Sequence, residues 1–100
     1  MAWIELHQSL PQHRKLLALR DALGLRTPAA LGHMCLLWLW ALDNAPDGDL
    51  SALPARQLAE ICQFRERRAG DLAVALRTSG FVDADWRLHD WGDYTGRLID

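Results

Sequence analysis

In this chain an amphipathic run from Glu66 to Ser79 ends at Gly80, and directly after it come Phe81-Val82-Asp83, Ala84-Asp85 and Trp86-Arg87-Leu88-His89. A glycine just past the last periodic residue stops a helix, because it takes the left-handed backbone without steric cost. Apolar residues on both sides of a two-residue connection then predict a tight hairpin, with Phe81–Asp83 returning as Trp86–Leu88. Helix, stop, strand, turn and returning strand, in that order, read as the second helix and wing of a winged helix-turn-helix. The expected fold class is therefore mainly α with a small antiparallel β-sheet. One hundred residues, half of them apolar, suit a single domain spanning 1–100 that needs no disulfide or metal to hold it.

The upstream sequence supplies the remaining elements. Trp3 to His7 predicts a short strand that adds an edge to the hairpin. Ser9, Pro11 and Gln12 predict a helix start, Ser9 as cap and Gln12 closing a capping box, with the helix running from about Pro11 to Leu23 and stopping at Gly24. Its buried stripe is Leu16, Leu19 and Leu23. Thr27-Pro28 opens a central helix in the same way, and Leu31, Met34, Cys35, Trp38, Ala41 and Leu42 fall on one broad face. Leu36 and Trp40 fall on the other. A helix apolar on both sides is either sandwiched between two layers or offers one side to another chain. After the turn-rich Ala45–Asp49, Pro54 introduces a third helix with Leu58 and Ile61 inward. The Arg-rich Gln63–Arg68 is the turn before the last helix, whose inner stripe is Ala69, Leu72, Ala73 and Leu76.

Nothing in the pattern calls for catalysis, a cofactor or a metal. His7, His13, His33 and His89 are scattered, and no pair has the i, i+4 spacing with a glutamate that a zinc hydrolase helix needs. Cys35 and Cys62 lie apart in apolar helical stretches and read as reduced core thiols. No phosphate loop or nucleophile elbow is present. MAWIELHQSL has polar residues where a signal peptide would be apolar, and the run Met34–Leu42 falls short of the roughly 20 residues that span a bilayer. The expected setting is cytoplasmic, with no membrane contact.

The net charge of −2 excludes nucleic-acid binding by bulk charge, so any DNA role rests on local clustering. Arg65, Arg67 and Arg68 precede or open the last helix, Arg77 lies near its end and Arg87 on the wing. These five are the candidate phosphate contacts, with Thr78 a base-edge or backbone contact. The outermost line of that helix, Arg67, Asp71, Val74 and Thr78, includes a carboxylate and a valine where a reader of guanine edges would show Arg, Lys, Asn or Gln. Leu36, Trp40, Asp71 and Val74 therefore form the competing candidate, an oligomer or protein interface. The tryptophans divide likewise: Trp38 reads as core, whereas Trp3, Trp86 and Trp91 either pack together as a second layer or serve self-association.

The segments WIELHQSL (Trp3–Leu10), HRK (His13–Lys15), ALGHMCLLWLWALDNAPDGDLS (Ala30–Ser51) and RLHDWGDYTGRLI (Arg87–Ile99) resemble the N-terminal domain of phage replisome-organiser-like proteins, which are related in style to the DnaD-type primosomal winged helices. The resemblance spans nearly the whole chain. It implies a winged-helix module for replication initiation or primosome assembly, the N-terminal piece of a longer protein with a basic linker and a second domain. The Phe64–Asp71 segment departs from the family in being richer in arginine. Double-stranded DNA is the partner implied, with replication proteins and a second copy of the chain as further ones. A transcriptional regulator's DNA-binding domain is a third reading of the same architecture.

Overall fold

A computed structural model describes residues 2–93 and 95–97. The protein is mainly helical: α1 (Arg14–Leu23), α2 (Thr27–Asn44), α3 (Ala55–Cys62) and α4 (Ala69–Ser79) carry the fold, and short strands β1 (Ala2–Ile4) and β2 (Thr95–Arg97) bring the chain ends together. α1 packs against α2 and α4, and α3 packs against the same two helices from its own side. Leu16, Leu19 and Leu23 of α1 meet Leu72 and Leu76 of α4 and Ala30, Met34, Leu37 and Ala41 of α2 in one continuous core. The spacing of the α2 residues, at four, seven and eleven positions from Ala30, keeps them on one stripe of a 3.6-residue helix. No polar or charged residue among those described is buried. The Cα radius of gyration of 12.8 Å matches the roughly 13 Å of a compact chain this long.

Both glycine stops form as expected, with Gly24 at φ 66° and Gly80 at φ 95°. The helix starts differ. α1 begins at Arg14 rather than near Pro11, after a single 3-10 turn over Leu10–Gln12. Ser9 makes no cap. His13 does so through Nδ1, which accepts from the Lys15 amide at 3.1 Å. Thr27 is the first residue of α2 rather than its cap, and its hydroxyl accepts instead from Arg20 Nη1 at 3.2 Å. The buried line of α2 runs through Leu37, leaving Leu31, Cys35 and Trp38 half-buried, and Leu39 points outward at 53 % exposure. In α3 and α4, Ala59 and Ala75 are buried where Ile61 and Ala73 are only half so.

The hairpin is looser than the regular sheet its sequence predicts. Phe81–Asp83 and Trp86–Leu88 meet at one antiparallel bridge, Val82 with Leu88, and Arg87 bridges to Asp49 on its other side. Backbone hydrogen bonds from Asp83 to the Arg87 carbonyl (2.8 Å), from Leu50 to that of Trp86 (2.9 Å) and from Leu88 to that of Gly48 (2.8 Å) lay three short extended segments side by side. The connection is three residues long, not two. Trp86 turns left-handed at φ 65°, and the Asp85 carboxylate accepts from the Arg87 amide at 3.1 Å, which shifts the pairing by one residue. Nor does Trp3–Leu6 edge this hairpin; β1 pairs antiparallel with Thr95–Arg97, Trp3 opposite Gly96. Trp3, Trp86 and Trp91 do not form a common layer. Trp91 is buried, with its indole N–H donating to the Pro46 carbonyl at 3.0 Å, while Trp3 stays 45 % exposed. Tyr94, Leu98 and Ile99, which carry part of the family resemblance, lie outside the described residues.

Candidate nucleic-acid interface

α3 ends where Gln63 turns left-handed at φ 54°, and after Phe64 and Arg65 a 3-10 turn over Glu66–Arg68 feeds directly into α4. Phe64 anchors this connection in the core, its ring edge-on to His33 at 5.3 Å between centroids. Because the buried stripe of α4 is Ala69, Leu72, Ala75 and Leu76, its exposed line begins beside Arg67 and continues through Asp71, Val74 and Thr78. Val74, 61 % exposed, stands in the middle of it.

The five arginines divide into two groups. Arg68 is tied inward: Nη1 donates to the Leu23 carbonyl at the end of α1 (2.9 Å), Nε pairs with Asp71 (3.1 Å), and the guanidinium lies over the Phe64 ring at 5.8 Å. Arg77 leans onto the hairpin, stacked over Trp86 at 4.7 Å with Nη2 donating to the Ala84 carbonyl at 3.1 Å. Arg87 sits between two carboxylates, 3.7 Å from Asp49 and 3.7 Å from Asp85. Arg65 and Arg67 are exposed and hold no ion pair or side-chain hydrogen bond among the described residues. Of the five, the guanidinium groups left open to an outside anion are thus the two that flank the start of α4. Thr78 is exposed on the same line, its hydroxyl 3.4 Å from the Ala75 carbonyl of its own helix.

The hairpin side is acidic. Asp83 and Asp90 bracket His89, at 2.8 Å from Nδ1 and 3.2 Å from Nε2. Hydrogen bonds from the Ser51 hydroxyl and amide, with Arg87 beside it, hold the Asp49 carboxyl below its ordinary range. A phosphate approaching the hairpin meets three hairpin carboxylates and Asp49, against Arg87, already paired, and Arg77, stacked on Trp86. Between α4 and the hairpin lies an open groove lined by Val74, Arg77, Thr78, Ala84 and Trp86, which sequence spacing alone did not single out.

The residues expected at an oligomer interface are not gathered. Leu36 is half-exposed on α2, Trp40 packs against the core, and Asp71 and Val74 belong to α4. Burial raises the Cys35 thiol and pushes that of Cys62 up to about 12, so neither is primed as a thiolate. Among the described residues no group of three potential metal ligands converges, and no helix is long and apolar enough to cross a membrane. Comparison with family models, with curated proteins and with solved structures finds no significant match.

Proposed function

We propose that the chain is a winged helix-turn-helix that binds double-stranded DNA through α4, as a module of a phage-type replication initiation or primosome assembly protein. In this reading α3 and α4 are the helix-turn-helix, the segments 48–50, 81–83 and 86–88 are the reduced sheet and wing, and α4 enters the major groove. The observation that carries it is the pair of unpartnered arginines, Arg65 and Arg67, at the N-terminal end of an exposed helix face. Recognition helices read DNA with their N-terminal residues, and there the positive end of the helix adds to the guanidinium charge. Arg68, Arg77 and Arg87 serve the fold first, so phosphate contacts fall to Arg65 and Arg67. Membership in a replication system rests on the sequence resemblance alone.

Two free arginines and a net charge of −2 make a weak, steeply salt-dependent binder. Titration of a labelled duplex against wild type and Arg65→Ala/Arg67→Ala, over a series of salt concentrations, tests the proposal. The double variant should bind less tightly and lose about 2 from the slope of log K against log salt. Equal slopes, or no binding by the wild type at low salt, would remove α4 as a DNA surface.

A second reading, a protein-interaction or homo-oligomerisation module, is favoured by Val74 at the centre of the α4 face and by Leu39 exposed on α2. Trp40 is partly buried, packed against the core. Under this reading Val74→Glu shifts a dimer to monomer in sedimentation. A wild type that is monomeric at high concentration rules it out.

A further inference from the structure

Beside the C-terminal end of α4 the N-terminal segment leaves a cavity of about 130 Å³, walled by Leu6, Leu10, Trp38, Phe81 and Trp91. Its volume is close to the roughly 150 Å³ that admits a benzene ring, and its rim, with Leu6, His7 and His13 exposed, is open to solvent. Trp38 and Phe81 pack edge to face on one another, 5.8 Å apart at 73°, and so form one continuous aromatic wall. The polar lining is not symmetrical in charge. Lys15, half-buried, has its stem fixed beside Gly80, where an added Cβ would come within 3.3 Å of Cε, and its ammonium has no ion-pair partner among the described residues. His13 spends Nδ1 as the acceptor that caps α1, so the ring proton is on Nε2, a donor. His89 is committed to Asp83 and Asp90. Glu5 is the one carboxylate among the described lining residues, and it is exposed where Lys15 is half-buried, so of the two charges that of Lys15 is the less screened by water.

We propose that this cavity is a binding site for a small aromatic carboxylate, the ring held by Trp38, Phe81 and Trp91 and the carboxylate by Lys15 with His13. The site is independent of the α4 face. It is tested by titrating the protein with sodium benzoate and, separately, with benzyl alcohol at constant ionic strength, following the Trp38 indole resonance. Benzoate should give a saturable shift, and Lys15→Met should weaken it about tenfold through loss of a charge-assisted hydrogen bond. Leu10→Phe, which fills the cavity without touching its charge, should abolish it. No saturable shift with benzoate, binding of benzyl alcohol as tight as that of benzoate, or benzoate affinity unchanged in Lys15→Met or in Leu10→Phe would each overturn the proposal.

Discussion

Two glycines show how the same substitution changes sign with its surroundings. Gly48 is left-handed at φ 77°, and a Cβ there would lie 2.8 Å from the Trp91 ring, so Gly48→Ala meets both backbone strain and a buried indole. It should lose about 3 kcal/mol in urea unfolding. Gly32 is exposed inside α2 with nothing within 4 Å, and Gly32→Ala should gain about 0.5–1 kcal/mol by the same measurement. Arg68 makes a third residue-scale case. Truncating it frees the Leu23 carbonyl and the Asp71 carboxylate, and because Arg68 is 38 % exposed the loss should be about 1 kcal/mol. Its salt slope on DNA should stay that of the wild type, which separates it from Arg65 and Arg67. Cys62 ties stability to pH. The unfolded thiol ionises near 9.0 and the buried one only near 12, so the folded state holds the extra proton in that window and stability falls as pH rises through it. Urea midpoints at pH about 8 and about 10.5 should differ more in wild type than in Cys62→Ala.

Between α4 and the hairpin the coupling runs through Arg77. Its guanidinium covers Trp86 and holds the Ala84 carbonyl, across the residue that turns left-handed to close the loop. Arg77→Ala should cost about 1 kcal/mol and speed hydrogen exchange at the amides of Asp83 and Leu88 relative to those of α1. The end of α4 was legible because the glycine that stops it stands out locally, whereas its start lies at Ala69, three residues after the amphipathic run begins at Glu66; the stripe Leu72, Leu76 comes from helical period alone. The hairpin register was not. It depends on an indole taking a backbone conformation that bulky residues rarely adopt, stabilised by an arginine nine residues earlier, and no local pattern encodes that. The pairing of β1 with Thr95–Arg97 joins opposite ends of the chain and is equally invisible to local spacing. Among the site residues, period placed Arg67, Asp71, Val74 and Thr78 on one exposed line. That Arg68 reaches a carbonyl 45 residues away, and Arg87 a carboxylate 38 residues away, only the packed helices reveal.

At the scale of the whole molecule, charge is divided by face: acidic at the hairpin and the 47–49 loop, open and basic where α3 turns into α4. A duplex docked on α4 would therefore gain little from the hairpin, and binding would be carried by the helix start. The most direct measurement of this is a map of backbone amide shifts as a short duplex is added at low salt. Shifts concentrated from Arg65 to Thr78, with the hairpin amides from Asp83 to Asp90 nearly unmoved and the map fading as salt rises, are what the account predicts. Shifts gathered on the outer face of α2, or none with duplex in excess, would contradict it.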